Sequence, residues 1–501
     1  MPDPPRVGAV PVCPVYTGRA SPTGRKHVPV LDVWPILGAL AELGGREDVM
    51  DETLAALQQQ ANEDGIEFFF AMFVDMHGRP CAKLVPARFL ESLLTEGVGF
   101  AGFAVGPMGQ TPADPDMVAI PDPRSYTPVP WQPGLAALQC DLFVEGEVWP
   151  YSPRVILERQ LARLDERGMV LNCGVELEYF LVRRSPDGSI APADPLDTAA
   201  QPCYDAKGLT RMYDHLTVVS KYLNQLGWDN YANDHEDANG QFEQNFRYAD
   251  ALVTADRTIF FRYMIHMLAN QTDLAATFMP KPFANLTGNG MHVHCSLWNS
   301  TGDEPLFLDL DDPRGLGLST MAYQFIGGLL DHAPALAAVT APTVNSYKRI
   351  GVGPPDSGAT WAPAYATYGG NNRTQMLRVP EPGRVENRIV DGSANPYLAF
   401  TALLAAGLDG IDRELDPGEP NRDNLFALPL KEITDRGIRV VPATLADAIG
   451  ELEGDDVLRQ ALGQVPGGDY IDYFAQTKRD EFSQYHRSVS MWEIERYLSL
   501  F

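Results

Sequence analysis

Apolar and polar positions along this chain repeat at two periods. Where the repeat is close to 3.6, helices are expected. One runs from Asp51 to about Asn62 with Leu54 and Leu57 on one face. FLESLLTEG, VILERQLARLDERG and GLTRMYDHLTVVSKYLNQLG follow, stopped by Gly97, Gly168 and Gly227. MAYQFIGGLLDHAPALAAVTAP and NPYLAFTALLAAGLDGIDREL read as two more, and the aromatic-rich end DYIDYFAQTKRDEFSQYHRSVSMWEIERYLSLF as a terminal helix. Where the repeat is two, strands are expected. IEFFFAMFVD and AKLVP flank a turn at Met76, His77, Gly78, Arg79 and Pro80, making a small α+β unit that closes near 144–153. The segment from Gly102 to Pro133, rich in Gly, Pro and Asp, reads as a long loop and a wall of an active site.

Four further strands carry the chemistry. Glu176 and Glu178 stand in VELEYF, Gln241 and Glu243 in GQFEQNF, His292 and His294 in GMHVHCSLW, and Arg384, Glu386 and Arg388 in GRVENRI. Residues i and i+2 of a strand share a face. Each segment therefore shows polar groups on one side and Val175, Leu177, Met291, Val293, Val385 or Asn387 on the other. Glu176, Glu178, Glu236, Glu243 and Glu386 with His292 make an oxygen-rich set with one imidazole, which suits Mg²⁺ or Mn²⁺ and not zinc or copper. Arg349, Arg373, Arg378, Arg384 and Arg388 lie within forty positions and fit phosphate and carboxylate. Spacing alone also fits solvated strand faces and surface ion pairs. His235, in NDHEDANG, fits a proton relay or, better, a turn.

Composition narrows the field. At 501 residues the chain exceeds the usual size of one core, and two domains are the default. A formal charge of −27 without a basic run excludes nucleic acid as a partner. The six cysteines, Cys13, Cys81, Cys140, Cys173, Cys203 and Cys295, form no CxxC pair and fit a reduced cytoplasm. MPDPPRVGAV is no signal peptide, and no apolar run reaches the ~20 residues of a membrane span. There is neither a P-loop nor a GxGxxG opening a helix.

The segments CGVELEYFLV, DHEDANGQFEQNFRYADAL, FMPKPFANLTGNGMHVHCSLW, APTVNSYKRI, NNRTQMLRVP, RVENRIVDGSANPYLAF and WEIERYL, in that order, resemble the glutamine synthetase superfamily from about residue 60 to 501. The likeness is greatest to the γ-glutamylmethylamide synthetases and the type III glutamate-ammonia ligases, with SGATWAPAYATYGGNNR most like the former. Residues 1–50, rich in Pro and Gly, read from composition as an extension; beyond them the resemblance implies an α+β fold, with a β-grasp domain at 51–152 and a catalytic domain at 153–501 whose curved antiparallel sheet is flanked by helices. It implies that Glu178, Glu236 and Glu243 hold one metal ion and Glu176, His292 and Glu386 another. Gly288, Arg349 and Arg388 would take glutamate, His294, Ser296, Arg373, Arg378 and Arg384 would take ATP, and Arg373, Arg349 and Arg388 would act in catalysis. The implied activity is an ATP-dependent ligase making a γ-glutamyl amide from L-glutamate and an amine, methylamine or larger, through a γ-glutamyl phosphate. Glutamine synthetase acting on ammonia is the alternative. The implied assembly is a dodecamer of two stacked hexameric rings, with sites between subunits and the terminal helix reaching the opposite ring.

Three departures mark this chain within that resemblance. Phe100, Ala101 and Gly102 stand where the ammonia enzymes have Phe-Asp-Gly, and IGVGPPDSGATW carries no flap glutamate. Both changes favour a neutral or partly apolar amine, with Asp114, Asp116 and Asp356 as possible substitutes for the lost carboxylates. Phe426 stands in NLFALP at the place of the adenylylated tyrosine, so that switch is expected to be absent.

Overall fold

The structure, a computed structural model, describes residues 46–350, 362 and 364–501. The N-terminal extension to residue 45 and the flap with Asp356 lie outside the described residues.

The N-terminal unit begins with a helix (α1, Arg46–Glu63), five residues earlier than its apolar repeat predicts. Strands β1 (Phe68–Val74) and β2 (Pro80–Pro86) pair antiparallel as expected. Their turn is set by Asp75, whose carboxylate accepts from the backbone N–H of His77 and Arg79, and by Gly78 at φ +77°. After α2 (Leu90–Thr95) come β3 (Val98–Phe100), β4 (Met117–Pro121) and β5 (Leu135–Val144), giving the order β2-β1-β5-β4-β3. Segment 102–133 is thus not one loop: it contributes β4 to the sheet, its alternation hidden by the short run MVAIP between prolines and aspartates. Phe69, Ala71 and Phe73 of β1 pack with Leu57, Leu90, Leu93 and Leu94 in a core of their own.

The remainder is built on a second sheet. Helix α3 (Pro153–Asp165) leads into the long β6 (Met169–Arg184). Then come α4 (Tyr213–Gln225), β7 (Ala232–His235), β8 (Gln241–Asn245), α5 (Ala251–Asn270) and β9 (Met291–Asn299). Helices α6 (Thr320–Asp331) and α7 (Ala333–Thr340) precede β10 (Tyr368–Gly369), β11 (Leu377–Arg378) and β12 (Val385–Asn387). The sheet runs β7-β8-β6-β9-β12-β11-β10, antiparallel except for β10 against β11. Val175, Leu177, Met291 and Val293 turn their side chains into the main core. Helix α8 (Pro396–Asp412) crosses α6 so closely that a Cβ at Gly328 would lie 2.0 Å from the Ala406 carbonyl, and one at Gly410 2.2 Å from that of Gln324.

Three expected helices are split. GLTRMYDHL divides at Met212. The α6–α7 run divides at His332 because Pro334 has no N–H to continue the ladder. The terminal run divides into α9 (Tyr470–Arg487) and α10 (Met491–Tyr497), the latter opened by a capping box between Ser490 and Glu493. No helix among the described residues is long and apolar enough to cross a membrane.

The break at His332 carries a charge staple. Its ring nitrogens lie 2.6 Å from Asp455 and 3.0 Å from Asp409 of α8. Burial lowers the imidazole pKa, but the two carboxylates outweigh burial and the net shift is upward. A raised pKa stabilises the fold fully below the unfolded value of about 6.5 and loses that contribution as pH rises through the folded value. His332→Gln is expected to cost about 2 kcal/mol at pH 6 and much less at pH 9. Equal losses of melting temperature at both pH values would show that the charge is not what counts.

Candidate active site

Strand register assembles the site. Glu243 of β8 stands opposite Glu178 of β6, Glu176 of β6 opposite His292 of β9, and His294 of β9 opposite Glu386 of β12. Arg378 of β11 is in turn opposite Glu386. Cross-strand partners share a face, so five strands bring these four pairs, three of them between acidic or imidazole groups, onto one surface. That surface forms the floor of a cavity of about 820 Å³. Glu176, Glu178, Glu236, Glu243, His292, Gly288, Arg349, Arg373, Arg378 and Arg388 all line it.

The carboxylates are held in different ways. Glu178 accepts from the Gly290 N–H at 2.7 Å and from the Gln241 amide at 3.0 Å. Gln241 also donates to the Asn289 side chain and the Gly288 carbonyl, so it positions Glu178 and is not itself presented as a ligand. Asn245 donates to Glu243 at 2.9 Å. Glu386 is fully buried with both oxygens taken, by Arg378 at 2.7 Å and Arg388 at 2.5 Å. Glu176 lies 3.6 Å from His292 and 3.0 Å from His294. The ligand atoms of Glu176, Glu243 and His292 lie within 4.8 Å of one another, as do those of Glu176, His294 and Glu386. Glu176 is therefore central to both groups, and His294 sits at the metal-ligand cluster instead of beyond it. The expected grouping of Glu178 with Glu236 and Glu243 is looser, because Glu178 is turned toward Gly290 and Gln241.

Charge follows from this packing. Glu243 is pushed well above the ordinary carboxylate range by burial, then by Glu236, Glu176 and Glu178. Glu236 rises for the same reasons, burial first and then Glu178. Burial would also raise Glu386, but Arg388 and His292 bring it down to about 2. Burial is again opposed at Glu176, where His292 and His294 lower the carboxyl. His292 is lowered by burial and by Arg388, which favours the neutral imidazole a metal requires. Closely packed carboxylates that repel one another are what a divalent cation relieves, and the donor set fits Mg²⁺ or Mn²⁺.

The basic half is also in place, with exceptions. Arg349 is buried and donates to the carbonyls of Ile389 at 3.0 Å and Arg388 at 3.1 Å. Gly288 must be glycine: a Cβ there would lie 2.2 Å from the Pro280 carbonyl and 3.2 Å from Arg349 Cγ. Arg384 faces His294 at 3.3 Å and Glu381 at 3.3 Å, at the edge of the cluster. Ser296 accepts from the Trp298 indole at 3.0 Å and does not line the cavity. His235 is buried, its Nε2 2.8 Å from Asp197, and it braces the segment carrying Glu236, so it is a structural residue and not a relay. Asp114 caps Thr111 on an exposed loop, and neither it nor Asp116 nor any residue of 102–133 lines the cavity of its own chain. Gln241, Asn289 and Tyr204, which border or brace the site, carry no signal in spacing beyond the Gln241–Glu243 pair.

The model of the glutamine synthetase catalytic domain matches residues 150–497. The chain belongs to the glutamine synthetase family. It is thus a carbon–nitrogen ligase by descent. It is 46% identical over 445 residues to the glutamate–methylamine ligase of Methyloversatilis universalis, covering 89% of this chain and 99% of that one. It is 43% identical to a glutamine synthetase of Rhizobium meliloti, covering 86% and 97%. Among solved structures it superposes on an ADP complex of GmaS with a TM-score of 0.82 at 48% identity, covering 88% of this chain and 99% of that one.

If carboxylate repulsion dominates the metal-free site, Glu243→Gln should raise the melting temperature of the metal-free protein. Because Glu243 is raised, its ionised form costs stability above about pH 4.3, so the gain should grow from pH 5 to pH 8. The same variant should lose most of the stabilisation that 5 mM Mg²⁺ gives wild type. A variant less stable than wild type without metal at pH 8 would show that hydrogen bonding to Asn245, not repulsion, governs the residue.

Proposed function

We propose that the chain ligates L-glutamate to an amine other than ammonia, methylamine or a larger one, with ATP and Mg²⁺ or Mn²⁺. The observation behind this is a single cavity with carboxylates and His292 on its floor and Arg349, Arg373, Arg378 and Arg388 around it. The name of the Methyloversatilis relative and the likeness to GmaS point to methylamine as the leading amine. Glu178, Glu236, Glu243, Glu176, His292 and Glu386 would hold the cations, which neutralise phosphate charge when bound. Gly288 and Arg349 would hold glutamate at the end of the cavity formed by the GNG turn. A γ-carboxylate oxygen attacks the γ-phosphorus and ADP departs with the P–O bonding pair. Arg373, Arg378 and Arg388 stabilise the charge on the transferring group. The amine nitrogen then attacks the acyl carbon, phosphate leaves, and the nitrogen gives up a proton to complete the amide.

The amine preference rests on Ala101, which is exposed on the small unit and outside the cavity of its own chain. In a ring where each small unit closes its neighbour's site, that residue would face the incoming amine. An alkyl chain there gains about 0.8 kcal/mol per buried CH₂, and no carboxylate favours ammonium. With total amine matched at fixed pH, kcat/KM should be higher for methylamine, ethylamine or a larger amine than for ammonia. Ala101→Asp should move the ratio toward ammonia by about tenfold, one charge interaction of ~1.4 kcal/mol. Ammonia as the best substrate of the panel would make the chain a glutamine synthetase. Glu178→Ala should abolish turnover with the fold retained; activity within tenfold of wild type would remove it from the metal site.

We further place the chain in a cytoplasmic dodecamer of two hexameric rings. Trp492 is 60% exposed and Phe501 fully so at the end of the chain, apolar surface that a ring partner would cover. Removing the last ten residues should therefore reduce the mass measured by light scattering to that of single rings or smaller species; an unchanged mass would remove α10 from the interface.

A further inference from the structure

A second cavity, of about 600 Å³, lies behind the first. It opens between the Met76–Pro80 turn of the small unit and helices α5 and α9 of the large one. Phe278, Leu398 and Phe474 make its body apolar. Arg79, Arg262 and Lys478 are the cations on its wall, and their partners differ. Arg79 has Asp75 at 3.1 Å and Lys478 has Glu481 at 3.0 Å. Arg262 uses Nη2 on the Ala394 carbonyl at 2.8 Å, and its Nε is buried without an acceptor. No carboxylate among the described residues makes an ion pair with it; Asp391 acts on it only from beyond contact. Burial lowers its pKa to about 10, still fully charged at neutral pH. An arginine largely out of water, without a carboxylate, beside an apolar space is a site for a carboxylate with an apolar body.

The two cavities share a wall. Thr277, Met279 and Pro280 line the second cavity, and Lys281, the next residue, lines the first. Asn289 donates from its side chain to the carbonyls of Thr277 and Met279 and from its backbone to that of Pro280. Asn289 accepts from Gln241, which holds Glu178. Asn345, on the second cavity, exchanges two hydrogen bonds with the backbone of Lys281. The strip is thus joined by hydrogen bonds to the residues that hold Glu178 and flank Gly288.

We propose that the second cavity binds a small amphipathic monocarboxylate, its carboxylate on Arg262 and its apolar part against Phe278, Leu398 and Phe474, and that its occupancy is coupled to glutamate binding. The catalytic assignment rests on the other cavity, and the test needs no turnover. The full chain is titrated calorimetrically with 3-phenylpropionate, its neutral isostere 3-phenylpropanol, and acetate, without ATP or metal. The expected result is one phenylpropionate per chain, with the alcohol and acetate each weaker by about tenfold or more, as loss of a charge-assisted contact or of the buried ring implies. Arg262→Gln should remove that difference between acid and alcohol. Rising glutamate should shift the phenylpropionate affinity to a finite plateau, with a matching shift in glutamate affinity. No binding at 10 mM, or equal affinity for acid and alcohol in wild type, overturns the proposal even if the variant fails to fold. A shift that grows with glutamate without limit means a shared site and overturns it as well; no shift at all overturns the coupling.

Discussion

The antiparallel register of β6 governs the site. β6 is paired on one side with β8 and on the other with β9, and those two pairings place Glu243 beside Glu178 and His292 beside Glu176. A slip of one residue on either side would send an entire row of carboxylates into the helical core and Val175 or Leu177 into the cavity. The core prevents this, since Val175, Leu177, Met291 and Val293 are nearly completely buried. Hydrophobic burial on one face thus enforces charge crowding on the other. Burial first, and then this crowding, makes Glu236 and Glu243 resist ionisation.

The same logic explains the asymmetry between the acids. Glu386 is the most deeply buried of the six ligand candidates and is nonetheless lowered, because two guanidiniums meet it. Glu243 is also buried and is raised, by burial first and then by acidic neighbours in place of guanidiniums. One sheet therefore holds a cation-poor end and a cation-rich end a few ångströms apart. Such a gradient suits a reaction in which phosphate must be gripped at one end and a carboxylate presented at the other.

Much of this was legible in the sequence. The i, i+2 pairs gave the right strands and the right inward faces, and the apolar runs gave the long helices. What was not legible depends on distance along the chain. MVAIP was too short to separate from its prolines, and so β4 read as loop. The breaks at Met212 and His332 were missed because apolar periodicity continues through them. Gln241 was legible only as the same-face neighbour of Glu243; that its amide is spent on Glu178, Gly288 and Asn289 depends on residues far along the chain. His235 could not be assigned without Asp197, thirty-eight residues away and in no motif. Ser296 shares a strand face with His292 and His294, but β9 has carried it past the rim by that point.

The glycines of LTGNGMH limit how this site can change. A Cβ at Gly290 would lie 2.7 Å from His292 Nε2 and 2.9 Å from Arg349 Nη2, and Gly288 is as tightly enclosed. At these two positions the end of the cavity where the amino acid would lie is bordered by backbone with no room for a side chain. Selection for a longer or bulkier acid has nothing to remove at either glycine. Selection for a different amine would meet no such limit at Ala101, an exposed side chain just after β3 of the other sheet. On the proposed placement of the substrates, main chain borders the amino acid and a replaceable side chain the amine, so a change of amine asks less of this fold than a change of acid.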